Sequence, residues 1–334
     1  MSSTPKKIRI ATRGSKLALW QAEYVSKMLS SKGFEVTLNV IKTTGDRVQD
    51  RFLHEMGGKG LFVKELETSM ANAETDMAVH SLKDLPAKIP QGFCLGAILK
   101  RHIPQDAIIF RQSSFDRFVK HEGPFGLQDF QSMGQATIAT SSLRRQSLLK
   151  GASKELKLVP VRGNVDTRLA KLEAEKWDAL ILAGASLERL GLLDLPHRLI
   201  SSDWFVPCGA QGALAIECPE DSPFRSVLAE LSDPETMIAA SLERLILERL
   251  GGDCTMPFGA FARKNSKGDG TAISALVLNY EGKEARFDME VSTALAQLDI
   301  QATVEKVLQG LQDKGLGLII KDLEIDPPDL GRLS

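Results

Sequence analysis

The fold is decided by "KIRIATRGSKLALWQAEYVSKMLSSKGFEVTLNVIKTTGD", residues 7–46. Its opening, "KIRIATR", alternates apolar and polar side chains like a strand with one buried face. After Gly14 and Ser15 the period changes. Ala18, Ala22, Val25 and Leu29 recur on one helical face, and Gly33 is placed to stop that helix. "FEVTLNVIKTTGD" then returns to a strand pattern. Strand, helix and strand in this order form a crossover unit, which implies a parallel sheet with covering helices.

The same alternation continues outward. "GLFVKELETSMANAE" (60–74) reads as a helix and "DMAVHSL" (76–82) as a strand. It restarts after "DAIIF" (106–110): strand "QATIAT", helix "SSLRRQSLLKG", strand "LKLVPV", helix "NVDTRLAKLEAEK" and strand "WDALILA". In "SSDWFVPCGAQGALAIEC" (201–218), "GALAIE" is strand-like and is placed to return to the first sheet. From Ser222 the texture changes. Helices over 222–232 and 234–250 precede strands in "GAFARK", "AISALVLNY" and "EARFDMEV", and a last helix covers 295–315. Antiparallel strands covered by helices make a smaller α+β unit. The expected organisation is therefore 5–103 with 207–230 as a discontinuous α/β domain, 104–206 as a second, and 231–334 as an α+β third.

With 334 residues, 43% hydrophobic and 25% charged, the composition is that of a soluble globular protein of two or three domains. No run approaches the length of a membrane helix, and "MSSTPKKIRI" lacks the apolar centre of a secretory signal, so a cytoplasmic protein is expected. Cys94, Cys208, Cys218 and Cys254 show no CxxC and no histidines at zinc-ligand spacing, which points to free thiols and no metal site. A net charge of −1 and an aromatic content of 6% argue against a nucleic-acid binder. Yet Ala139–Leu172 holds eight basic residues against Glu155 and Asp166, so an anionic ligand is expected there.

The basic residues stand where strands give way to helices. Arg13 follows the first strand, Arg144 and Arg145 follow Ser141 and Ser142, and Arg162 opens "RGNVDTR", with Asn164 placed as a cap and Arg168 one turn in. Strand ends and helix N-termini of α/β sheets favour anions, and arginine adds bidentate recognition of carboxylate or phosphate. The absence of GxxxxGK[ST] and GxGxxG weakens a nucleotide reading. "AVHSLKDLPAKIPQG" (78–92) adds Asp84, a carboxylate just past a strand and suited either to proton transfer or to capping a turn. "GGKGLFVKELE" (57–67) reads either as a surface loop or as a glycine-hinged flap carrying Lys59 and Phe62. "ERLGGDCTMPFGAFARK" (248–264) sets Cys254 in a glycine turn, where it is core filler, nucleophile or covalent anchor.

Taken together, "IATRGSKLALWQAEYV", "GDRVQD", "GGKGLFVKELE", "AVHSLKDLP", "ATSSLRRQ", "RGNVDTRLAKL", "DALILAGASLERLG", "GAQGALAIE" and "LGGDCTMPFGAFA" closely resemble the porphobilinogen deaminase (hydroxymethylbilane synthase) family, in order, up to about residue 262. The last part of the chain matches only in general character. The sequence departs from the commoner pattern in Gly-Gly-Asp-Cys for Gly-Gly-Cys, in "CGAQGA" for "VGQGA" and in "RHIPQDA" beside Arg101.

The resemblance implies two type II periplasmic-binding-protein-like α/β domains and a C-terminal α+β domain with a three-stranded antiparallel sheet. It implies a dipyrromethane cofactor held by a thioether to Cys254 and contacted by Ser81, Lys83, Asp84, Ser142, Arg144 and Arg145. It assigns the incoming porphobilinogen to Arg13, Ser15, Lys59, Phe62, Arg162, Arg168, Arg189 and Gln211, with Arg101 a further member. The implied reaction condenses four porphobilinogen molecules, releases four ammonia and ends in hydrolysis to hydroxymethylbilane. In it Asp84 binds pyrrole N–H groups, stabilises the cationic azafulvene and moves protons. A monomer is implied, with a small-molecule substrate and no membrane or nucleic-acid partner. The alternative from another class is a non-catalytic receptor for a small anion, which needs the arginines but leaves Asp84 and Cys254 without a role.

Overall fold

A computed structural model describes residues 6–43, 63–252 and 256–323. It divides into two compact units, residues 1–101 with 213–237 and residues 102–212 with 238–334. Among the described residues no helix is long and apolar enough to cross a membrane.

The first unit is built on strands β1 (Lys7–Arg13), β2 (Glu35–Ile41), β3 (Met77–Ser81) and β4 (Phe93–Ile98), joined by the late strand β10 (Leu214–Pro219). Their order is β2-β1-β3-β10-β4. The helix Lys16–Ser31 presents Ala22, Val25 and Leu29 to Ile8, Ile10, Met77 and Val79, the stripe visible in the sequence. On the opposite face, Leu66 and Met70 of the helix Lys64–Ala71 pack on Ala11 and Ala78. The sheet is mixed rather than parallel, because β10 runs antiparallel to both β3 and β4. Crossover rules govern strands consecutive in the chain, and β10 arrives from far away.

The second unit repeats this plan. Its strands β5 (Asp106–Phe110), β6 (Thr137–Ala139), β7 (Lys157–Val159), β8 (Ala179–Ala183) and β9 (His197–Leu199) are ordered β7-β6-β8-β5-β9. Here β5 takes the place that β10 holds in the first sheet, again antiparallel to its neighbour β8. The third sheet is antiparallel, β11 (Phe258–Lys264), β12 (Thr271–Leu278) and β13 (Glu284–Val291). Residues 238–249 and the helices Ile300–Asp313 and Leu316–Asp322 bury one side of it. These are the α/β and α+β layers that the sequence pattern and the family resemblance imply.

Several elements differ from the sequence reading. The last helix does not begin at 295. One 3-10 turn, Leu295–Gln297, precedes an α-helix that starts at Ile300, where Asp299 accepts from Ala302 N at 3.0 Å. An Asp side chain that satisfies a free helix N–H fixes the start more strongly than apolar periodicity does. Strands β4 and β9 and the helices Gln112–Phe118, Leu127–Ser132 and Gly184–Leu190 are too short for periodicity to mark. Asn164 occupies the expected cap position, but its side chain makes no capping hydrogen bond.

Within the second unit the β11–β13 layer is clamped to the β5–β9 layer. Phe261, Leu276 and Leu278 join Phe205 and Val206 in one apolar cluster. Glu243, fully buried, accepts from Ala210 N at 2.6 Å and Ala262 N at 2.8 Å. Lys150 Nζ donates to the Tyr280 carbonyl at 2.8 Å and pairs with Glu281 at 3.2 Å, and Lys154 Nζ donates to the Glu281 carbonyl at 2.8 Å. Part of the basic run is thus spent on holding the two layers together, a role its charge pattern did not disclose.

Candidate active site

The first unit positions Asp84. Strand β3 ends at Ser81, and Leu82–Asp84 form one 3-10 turn. Leu82 is buried and its N–H donates to the Ala213 carbonyl at 3.0 Å, so the turn is pinned while Asp84 at its end is exposed. Ser81 Oγ accepts from Gln21 Nε2 at 2.8 Å. Gln21 is buried on the otherwise apolar face of its helix, and that misplaced amide was the signal the sequence offered. Just before the turn, His80 Nε2 lies 3.0 Å from Glu217 Oε2 with both side chains buried. Burial, then the charge of Glu217, push the Glu67 carboxyl up, and His80 opposes them. Arg13 closes β1, partly buried, and Ser15 caps the next helix by accepting from Ala18 N at 3.2 Å.

The second unit gathers the arginines. The helix Leu143–Ala152 begins just past β6, with Ser142 Oγ accepting from Arg145 N at 3.5 Å. Arg144 and Arg145 are almost fully buried, at 4% and 7% exposure. Both bind Asp106, the first residue of β5 and itself fully buried. Arg144 Nη2 donates to Oδ2 at 2.7 Å, and Arg145 donates to Oδ1 from Nε at 3.0 Å and from Nη2 at 2.6 Å. The far edges of the two guanidiniums donate to the carbonyls of Val206 and Ile181 at 2.7 and 2.8 Å. Burial pulls Arg145 below its ordinary value, Asp106 opposes this, and Arg144 adds to the depression. Arginine nevertheless keeps its proton.

Gln211 is fully buried, donating to the Pro104 carbonyl at 2.8 Å and to Asp106 Oδ1 at 3.1 Å. Arg189 is buried too, with Nη2 donating to the Gly212 carbonyl at 2.7 Å. Arg162 and Arg168 are half-buried at the start of the helix Val165–Ala174, where Arg168 Nε donates to the Gly163 carbonyl at 2.8 Å. The structure therefore brings Arg144, Arg145 and Gln211 onto one acid, Asp106, which sequence reasoning passed over. Its only signal was an Asp opening the apolar strand "DAIIF". Lys83 is half-buried beside Asp84, and Arg101 is tied through its N–H to Thr236 Oγ1 at 3.0 Å. Lys59, Phe62 and Cys254 lie outside the described residues.

This arrangement fits a carboxylate-bearing group. Among the described residues, two buried guanidiniums share a single carboxylate and Arg144 Nε is buried with no hydrogen-bond partner. A buried donor left unpaired is costly, and an incoming carboxylate would satisfy it and balance the second charge. Among the described residues no group of acids, histidines and cysteines forms a metal site.

Comparison with known proteins agrees. The family model described as "Porphobilinogen deaminase, dipyromethane cofactor binding domain" matches residues 8–225, and "Porphobilinogen deaminase, C-terminal domain" matches residues 237–308. Relatives named porphobilinogen deaminase include that of Albidiferax ferrireducens, 40% identical over 87% of this chain and 88% of its own. That of Ralstonia nicotianae is 38% identical over 98% and 95%, and that of Xanthomonas axonopodis pv. citri 41% identical over 95% and 99%. Among solved structures, the probable amino-acid ABC transporter extracellular-binding protein YtmK of Bacillus subtilis aligns with a TM-score of 0.40 at 11% identity, covering 74% of this chain and 99% of that one. With both family models matched in sequence order across nearly the whole described chain, this protein belongs to the porphobilinogen deaminase family.

Proposed function

We propose that the chain joins four porphobilinogen molecules head to tail, releasing one ammonia for each, and frees the product by hydrolysis as hydroxymethylbilane. The observation that best supports this is the buried Arg144–Arg145 pair, which among the described residues has one acid to balance it, with a substrate that carries acetate and propionate groups. Arg144, Arg145, Lys83, Ser81 and Ser142 hold the cofactor, and Cys254 carries it as a thioether. When bound, dipyrromethane supplies the pyrrole end to which the first substrate unit is joined.

The chain's own residues do the remaining work. Arg13, Arg162 and Arg168 bind the carboxylates of the incoming pyrrole, helped by Ser15, Lys59, Phe62 and Arg189. Planar forks at fixed positions orient the substrate as well as neutralising it. In the substrate the bond between the methylene carbon and the amine nitrogen breaks, ammonia leaves with a proton, and positive charge spreads over the pyrrole. The Asp84 carboxylate accepts the pyrrole N–H, stabilises that charge and moves protons to and from the reacting positions. Chain segments 5–103 with 207–230, 104–206 and 231–334 act as three domains, a division that the three sheets support. The enzyme works as a cytoplasmic monomer.

Asp84→Asn tests the catalytic role. Formation of hydroxymethylbilane per loaded chain falls at least ~100-fold, the scale of a lost acid–base group, while porphobilinogen still binds. Undiminished turnover would exclude Asp84 as the proton-transfer residue. The thioether is tested by intact mass, since active protein with only the polypeptide mass contradicts it.

A further inference from the structure

We infer that Asp106 is a positioning residue for the cofactor, fixing the orientation of Arg144 and Arg145 and leaving the pair with one uncompensated positive charge. This rests on the proposed role of the two arginines as holders of the cofactor's carboxylates. Asp106 needs no contact with the cofactor to act.

Two adjacent guanidiniums, buried at 4% and 7% exposure, repel each other and lose most of their hydration. One carboxylate between them, with no exposure of its own, removes that repulsion. Its two oxygens are divided: Oδ2 serves Arg144, and Oδ1 takes both donors of one edge of Arg145 together with the Gln211 amide. Gln211 is neutral, so it steadies Asp106 without changing the balance.

Orientation follows from the same contacts. Each guanidinium is held on a second side by a main-chain carbonyl, Val206 for Arg144 and Ile181 for Arg145. Ile181 lies on β8, the strand that pairs with β5, and Asp106 opposes Ala183 in that ladder. The arginines are therefore registered against the sheet rather than left to choose rotamers. What remains available is directional, since Arg144 Nε is buried and, among the described residues, without a partner. One residual charge and one waiting donor describe a site for a single carboxylate. An amide in place of Asp106 would turn N–H groups toward N–H groups and leave both positive charges uncompensated.

The test is the fraction of soluble, folded chain that carries the dipyrromethane mass, read by intact mass spectrometry after apoprotein is incubated with porphobilinogen. Asp106→Asn loads at most one-tenth as much as wild type. Asp106→Glu, which keeps the charge, loads at least tenfold better than Asp106→Asn. Loading of Asp106→Asn at the wild-type level overturns the inference, as does equal loading of the two variants. Should Asp106→Asn not fold, the double variant Arg144→Gln/Asp106→Asn restores the local charge balance. It is expected to be folded by circular dichroism yet unloaded, and full loading of it overturns the inference. Arg145→Gln separates this from the underlying reading. If it loads fully, the arginine pair does not hold the cofactor; if it fails to load while Asp106→Asn loads, only the role of Asp106 falls.

Discussion

At the scale of single residues, burial decides which groups react. Cys218 has no exposure, and burial followed by the Cys94 sulfur 3.8 Å away pushes its thiol up to about 12. The thiolate is the reactive form. Iodoacetamide at pH 8 should therefore label Cys94 and Cys208 in the native chain well before Cys218. Equal labelling of Cys218 and Cys94, mapped by peptide mass, would contradict the packing. The folded thiol holds its proton above the ordinary value of about 8.5, so its contribution to stability is full below that pH and is lost as pH rises toward 12. The same scale shows why Arg144 and Arg145 could be picked out and Asp106 could not. A pair of arginines behind two serines at a strand end announces itself, whereas the acid that holds them lies 38 and 39 residues away in sequence.

At the scale of elements, the helix Leu143–Ala152 is the one on which the site depends, and the turn between β12 and β13 is pressed against it. Gly282 has a φ of +85°, and a Cβ there would lie 2.4 Å from Gly151 N and 2.6 Å from the Ser147 carbonyl oxygen. Gly282→Ala therefore meets both a left-handed backbone and a main-chain clash. A loss of about 2 kcal/mol or more is expected, seen as a lower urea midpoint. An unchanged midpoint would show that the turn can move away without cost. This helix was legible in sequence because its Ser caps and apolar positions are local. Its partner turn was not, since "EGKE" carries no sign of what it touches.

At the scale of the whole molecule, the two α/β sheets share one strand order, and in each the fourth strand is antiparallel and out of chain sequence. Local patterning revealed the repeated α/β texture. It could not order the strands, because β5 and β10 are apolar segments whose neighbours are fixed by long-range pairing. The molecule also holds buried positive charge that its net charge of −1 conceals. Protein loaded with cofactor should thus melt at least ~5 °C above the apoprotein, because the tethered carboxylates neutralise the buried arginines only in the folded chain. Coincident melting curves by scanning calorimetry would argue against carboxylate neutralisation at the arginine pair.

The sequence by itself determined the layers, the strand-to-helix junctions that carry Arg13, Arg144, Arg145, Arg162 and Arg168, and the placement of Asp84 just past a strand. These are short-range consequences of periodicity, capping and turn chemistry. Tertiary structure alone decided that Arg144, Arg145 and Gln211 converge on Asp106, that Gln21 steadies Ser81, and that Lys150 and Lys154 clamp one layer to another. Charges and amides take their partners from whatever the fold brings within about 3 Å, and in this chain those partners lie scores of residues apart.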